Sequence, residues 1–144
     1  MQRARDIMHS LVVTCAPDAD LAQVAAQMKN HEIGSVPVVD GPGSMPIGMV
    51  TDRDIVVATT AEEICPDHAS ARDCMTTPVI CAPADAPLEE CVRLMGEHQV
   101  RRLPLVNRKG SCVGIISLGD IVRRGSPELA AEAMRRVVAD GPTA

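Results

Sequence analysis

The octapeptide GMVTDRDI, residues 48–55, returns as GIISLGDI at residues 114–121. Each copy reads as an apolar strand that runs into a short helix. Thr51 or Ser117 closes the strand, and Asp54 or Asp120 follows in the first helical turn. Working outward, the match continues in order. Asp6-Ile7-Met8 pairs with Asp73-Cys74-Met75, Leu21, Val24 and Met28 with Leu88, Cys91 and Met95, and Pro37-Val38-Val39 with Pro104-Leu105-Val106. The offset stays at 66 or 67 residues, so the chain is an internal repeat. Leu21, Val24, Ala25 and Met28 predict an amphipathic helix capped by Asp18 or Asp20. Leu88, Cys91, Val92 and Met95 predict its counterpart, with Asp85 as cap and Pro87 near the first turn. Strands are expected over 35–39 and 47–51, and over 103–106 and 112–117. Short β-type runs are expected around 11–14 and 79–81. Each unit is thus β-α-β-β-α, an α/β (α+β) pattern. Its sheet is too small to bury an apolar face alone, so the two units should pack together.

The expected boundaries are 6–60 for the first repeat, 61–72 for a mobile or partner-contacting linker, 73–124 for the second repeat and 125–144 for a C-terminal helix and tail. Ser126 and Pro127 suit the start of that helix, which either docks on the module or joins a second subunit. The chain has 144 residues, 46% hydrophobic, with no Phe, Tyr or Trp and a net charge of -5. The core must therefore be aliphatic. Stacking platforms for single-stranded nucleic acid are missing, and no broad basic field favours duplex DNA. No run of 18 apolar residues suggests a membrane span. Six cysteines without a CxxC pair, and an N-terminus MQRARDIMHS without an apolar leader, point to a cytoplasmic protein with reduced thiols.

Together with IGSVPVVD, residues 33–40, and VRRLPLV, residues 100–106, the octapeptides resemble the tandem CBS domain family over nearly all of residues 6–124. The chain looks like the stand-alone bacterial CBS pair. The style DIM…IGSVPVVD…GMVTDRDIV is similar to small stress- or hypoxia-associated members. The resemblance implies two pseudo-symmetric repeats packed sheet to sheet, clefts between them and a flat homodimer. It also implies a regulatory role. Many members bind AMP, ADP, ATP or S-adenosylmethionine and change conformation as they do; others bind no known ligand. The family's ribose and phosphate roles carry onto Thr51, Asp54, Ser117 and Asp120.

The residues themselves admit that chemistry. A strand-to-helix junction exposes free N–H groups. A hydroxyl can donate to phosphate, and a carboxylate can accept from both hydroxyls of a ribose. The plainer reading is that Thr51 and Ser117 cap their helices and that the two Asp residues stabilise helix N-termini or form salt bridges. Arg101 and Arg102 could meet phosphate, whereas the first copy has Gly34 and Ser35 there, so the two sites are unequal. Arg53, Arg123 and Arg124 are further phosphate candidates. A base could be read by backbone groups around Thr14-Cys15 and Ile80-Cys81, and held between aliphatic chains such as Val36, Val38, Met49, Leu103 and Ile115. Pro37 and Pro104 suit a strand edge. His31 and His98 suit helix C-termini, and Cys65 with His68 is too small a set for structural zinc.

No catalytic motif is present, so an enzyme is not expected. Three readings remain: an adenosine-ligand sensor acting on an unknown protein partner, a ligand-free interaction or dimerisation module, and a redox module. The last needs two cysteines in bridging distance or an exposed thiol with a lowered pKa.

Overall fold

A computed structural model of the chain describes residues 1–10 and 12–139. In chain order its elements are α1 (Ala4–Ile7), α2 (Leu21–His31), β1 (Ser35–Val39), β2 (Pro46–Thr51), α3 (Asp52–Ala58), a 3-10 turn (Pro66–His68), α4 (Ala71–Cys74), β3 (Ala82–Pro83), α5 (Leu88–His98), β4 (Arg102–Val106), β5 (Cys112–Ser117), α6 (Leu118–Arg124), α7 (Pro127–Met134) and a π turn (Arg135–Ala139). They gather into two compact units: Val13–Val79, and Met1–Val12 with the chain from Ile80 on. The mixed helices and small sheets are the α+β architecture that the repeat implies.

In the unit Val13–Val79, Leu21, Val24 and Met28 are the buried stripe of α2. Asp20 rather than Asp18 caps it, accepting the Gln23 N–H at 2.8 Å. β1 and β2 pair antiparallel, with Ser35 opposite Thr51 and Val38 opposite Gly48. Cys15 extends β1 as a parallel bridge to Val38, and Thr76 extends β2 as an antiparallel bridge to Met49. Leu21, Val24, Val36, Val38 and Val50 are fully buried and form the aliphatic core with Cys15, Met28, Ile55, Ala69 and Ala71. The end of the stretch 61–72 is hydrogen-bonded to the segment around the start of α2. The Leu21 N–H donates to the Ala69 carbonyl at 2.9 Å, the Ala71 N–H to Ala19 at 2.9 Å and the Arg72 N–H to Pro17 at 2.8 Å. Its small residues Ala69 and Ala71 fill the floor beneath α2.

In the other unit, β4 lies between β3, parallel to it, and β5, antiparallel. Leu88, Cys91, Val92 and Met95 of α5 are buried, as the spacing predicts. Asp85 does not cap this helix. Pro87 holds the N-cap position with φ -63° and no side-chain bond, while the Asp85 carbonyl accepts Arg3 Nη1 at 2.6 Å. His9 bridges Ile115 on the far side of β5, exchanging backbone bonds of 2.9 and 3.1 Å. Ala4 and Ile7 of α1 join the core. So does α7 with the π turn that follows: Leu129, Ala133 and Val137 are buried in the same cluster as Leu88 and Met95. Gly96 lets it approach, since a Cβ there would stand 3.1 Å from the Arg136 Cβ. The terminal helix therefore docks within its own chain.

Two features differ from what the sequence predicts, the first in the strands. The extended pieces before α2 and α5 fall at Cys15 and Ala82–Pro83, later than the apolar runs 11–14 and 79–81; Leu11 lies outside the described residues. The second concerns partnership. Ala4-Arg5-Asp6-Ile7-Met8 precedes the first repeat but packs with the second, whereas Ala71-Arg72-Asp73-Cys74-Met75 precedes the second but packs with the first. Gly48 and Gly114 make room for this, because a Cβ on either would collide with Met75 or Met8 respectively.

Candidate functional site

The two octapeptides form the same strand-to-helix junction. Thr51 is the N-cap of α3: its Oγ1 accepts the Asp54 N–H at 3.1 Å, and Asp54 Oδ2 accepts the Thr51 N–H at 2.9 Å. Ser117 is the N-cap of α6: its Oγ accepts the Asp120 N–H at 3.1 Å, and Asp120 Oδ2 accepts the Ser117 N–H at 2.8 Å. Both pairs are reciprocal capping boxes. Each junction is also tied to the residue that precedes the neighbouring strand, β1 or β4. The Asp52 N–H donates to the Gly34 carbonyl at 3.0 Å, and the Leu118 N–H to the Arg101 carbonyl at 2.8 Å. Capping is thus a role these four residues perform in the folded chain.

The second carboxylate oxygens differ. Asp54 is half-buried, and among the described residues no basic group pairs with it. Asp120 is 3% exposed, and its Oδ1 accepts Arg123 Nη2 at 3.0 Å with His9 Nε2 at 3.5 Å. The sequence reading missed His9, which lies 111 positions from Asp120 and carries no local signal. A clue exists in the repeat alignment, where Met8-His9 matches Met75-Thr76.

Arg101, Arg102 and Arg53 are exposed, and among the described residues none forms an ion pair. They are open to solvent anions. Thr14 is half-buried, and its carbonyl accepts Gln27 Nε2 at 3.4 Å. Cys15 is a poor reader of a base. Its N–H donates to the Pro37 carbonyl at 3.0 Å and its carbonyl accepts the Val39 N–H at 2.9 Å, so the sheet uses both groups. Ile80 and Cys81 lie just before β3, outside it. Val36, Val38 and Leu103 are fully buried core, while Ile115 is half-buried. Pro37 and Pro104 are buried and do not sit on an outer strand, since β1 and β4 have neighbours on both sides. Their missing N–H groups cost little because the short partners, Cys15 and Ala82–Pro83, bridge only Val38 and Leu105–Val106.

The thiols are held protonated. Burial, with the neighbouring Cys74, pushes Cys15 up to about 11; burial, with the Asp54 and Asp73 charges, does the same to Cys74. Cys81 and Cys91 are also pushed up to about 11 by burial. The exposed Cys65 is raised by its hydrogen bond to Asp67. All six cysteines are free, and the shifts run against the lowered thiol that a redox module needs. Among the described residues no three His, Cys, Asp or Glu side chains gather to hold a metal ion, and no helix is long and apolar enough to cross a membrane.

A repeated sheet-and-helix unit with a hydroxyl–carboxylate junction in each copy defines a tandem regulatory module. The CBS domain model matches residues 4–60 and again 71–126, and the chain belongs to the CBS domain family. It is 36% identical over 138 residues to the CBS domain-containing protein YhcV of Bacillus subtilis, covering 95% of this chain and 96% of that one. It is 38% identical over 124 residues to hypoxic response protein 1 of Mycobacterium tuberculosis, covering 85% of each. A crystal structure of Hypoxic Response Protein I with two coordinated zinc ions superposes with a TM-score of 0.75 at 35% identity, over 85% of this chain and 98% of that one. Of protein MK0525 from Methanopyrus kandleri, 38% identical over 112 residues, the match takes in 78% of this chain but 57% of the relative. The CBS domain pair of protein MJ0100, in complex with 5-methylthioadenosine and S-adenosyl-L-methionine, shares the fold with a TM-score of 0.75 at 24% identity, over 85% of this chain and 94% of that one.

Proposed function

We propose that this chain is a regulatory sensor that binds an adenosine-containing ligand at its strand-to-helix junctions and passes the change to a protein partner. The observation that carries the reading is Asp54. It is half-buried and anchored through one oxygen by the Thr51 N–H, and its other oxygen has no partner among the described residues. A partly desolvated carboxylate with open acceptor capacity suits the paired hydroxyls of a ribose. The exposed Arg53 supplies a cation for phosphate in the unit that holds Asp54, and the exposed Arg101 and Arg102 supply theirs in the unit that holds Asp120. The MJ0100 complex supports the reading only as far as fold goes: that architecture accommodates adenosyl ligands. The ligand belongs to the set AMP, ADP, ATP and S-adenosylmethionine. The action is regulatory rather than catalytic, and six free thiols suit the cytoplasm.

Calorimetric titration of nucleotide-free protein with these four compounds tests the reading. Micromolar binding that Asp54→Ala removes from a folded protein is the expected result. Absence of heat from all four, with no thermal shift, would sink it.

A second reading has its own observation. Val56 and Val57 on α3 are 55% and 50% exposed, and Val122 on α6 is 41% exposed. Apolar side chains repeated on the two short helices suit a homodimer contact. Sedimentation analysis of the wild type against Val56→Lys tests it, a dimer that dissociates in the variant being the expected outcome.

A further inference from the structure

We infer that Arg123, assisted by His9, is a built-in counter-ion for Asp120 that makes the two junctions unequal, so that a sugar-bearing ligand fills the Asp54 junction first. The inference rests on the adenosine reading above and assigns the order in which its sites fill.

Of the positions that differ between the two junctions, three bear on the surroundings of Asp120 Oδ1. Arg123 aligns with Val57, and its Nη2 donates to Asp120 Oδ1 at 3.0 Å. His9 aligns with Thr76, since they bridge the matched residues Ile115 and Met49; its Nε2 stands 3.5 Å from the same oxygen. Gly119 aligns with Arg53, and a Cβ there would come within 3.0 Å of Arg123 Nη1. Glycine thus leaves the guanidinium room to fold back over the first turn of α6. In the first repeat neither Val57 nor Thr76 can neutralise a carboxylate.

A ribose reaching Asp120 must exchange a charge-assisted bond for neutral O–H donors, which bond a carboxylate less strongly than a guanidinium does. The Arg123 side chain is 66% exposed, so solvent screens the pair and the contact sets a threshold rather than a lock. A weakening of the Asp120 junction by about tenfold relative to Asp54 is the scale expected of such a bond.

The test is calorimetry on the full chain with AMP and, separately, S-adenosylmethionine as probes. Wild type is expected to bind two equivalents whose affinities differ by about tenfold, and Asp54→Ala to remove the tighter one. Arg123→Gln should bring the two sites to similar affinity. The double variant Asp54→Ala/Arg123→Gln should retain one site at about the tighter affinity. If Arg123→Gln does not fold, Val57→Arg addresses the same inference from the other side: it places a guanidinium on a solvent-exposed position of α3 and should weaken the Asp54 site by about tenfold. Two equal sites in wild type, an unchanged gap between the two affinities in Arg123→Gln, or full affinity in Val57→Arg would overturn the inference while leaving the adenosine reading standing. Silence of both probes with every protein would overturn both.

Discussion

Thr51 and Ser117 each hold the start of a helix with a hydroxyl, and their carboxylate partners return the bond to the strand end. Thr51→Ala should therefore cost about 1 kcal/mol of unfolding free energy, and Thr51→Ser much less, as read by urea titration. These residues were legible in the sequence because their chemistry is local: hydroxyl and acid sit three positions apart at a junction between two hydropathy patterns. The aliphatic candidates for gripping a base were less legible. Val36, Val38 and Leu103 alternate along their strands as any core residue would, and they are core. His9 was illegible, because its approach to Asp120 depends on which sheet the N-terminal segment joins.

At the scale of elements, α7 shows how an amphipathic stripe can be read while its partner cannot. Leu129, Ala133 and Val137 have the right spacing for either a second subunit or their own chain; the small Gly96 beneath Arg136 favours the latter. Leu129, 7% exposed, should cost about 2–5 kcal/mol when changed to Ala, measured by chemical denaturation. The two closing segments give a second prediction. Gly48 stands where a Cβ would lie 2.6 Å from Met75 Sδ and 3.1 Å from its Cβ, so relief by rotating the side-chain tip is incomplete. Gly48→Ala should cost about 1–3 kcal/mol through overpacking, with the same assay as the check.

For the whole molecule, four thiols give the pH dependence a sign. Cys15, Cys74, Cys81 and Cys91 are pushed up to about 11 from an ordinary 9.0, so the folded chain keeps protons that the unfolded chain releases. The stability they contribute is complete below pH 9 and is lost as the pH rises toward 11. The melting temperature should fall between pH 8.5 and roughly pH 10.5 more steeply than in a Cys15→Ala/Cys91→Ala variant, as differential scanning fluorimetry can read. The repeat itself was plain in the sequence, since a constant offset over many matched residues is a global signal. The composition of the units was not. The Ala-Arg-Asp motif with its Met is the same at residues 4–8 and 71–75 apart from Ile7 and Cys74, so the motif itself does not say which copy joins which sheet.

That exchange bears on synthesis. Ala4, Arg5 and His9 are made before the Val13–Val79 unit, yet their hydrogen-bonding partners Ala86, Ala84 and Ile115 are translated many codons later. The stretch from Val13 to Val79 contains its whole core and can close as soon as it clears the exit tunnel. The nascent chain is thus ordered from the inside outward, and the segment ahead of Val13 waits for its partners until the strands of the second repeat arrive.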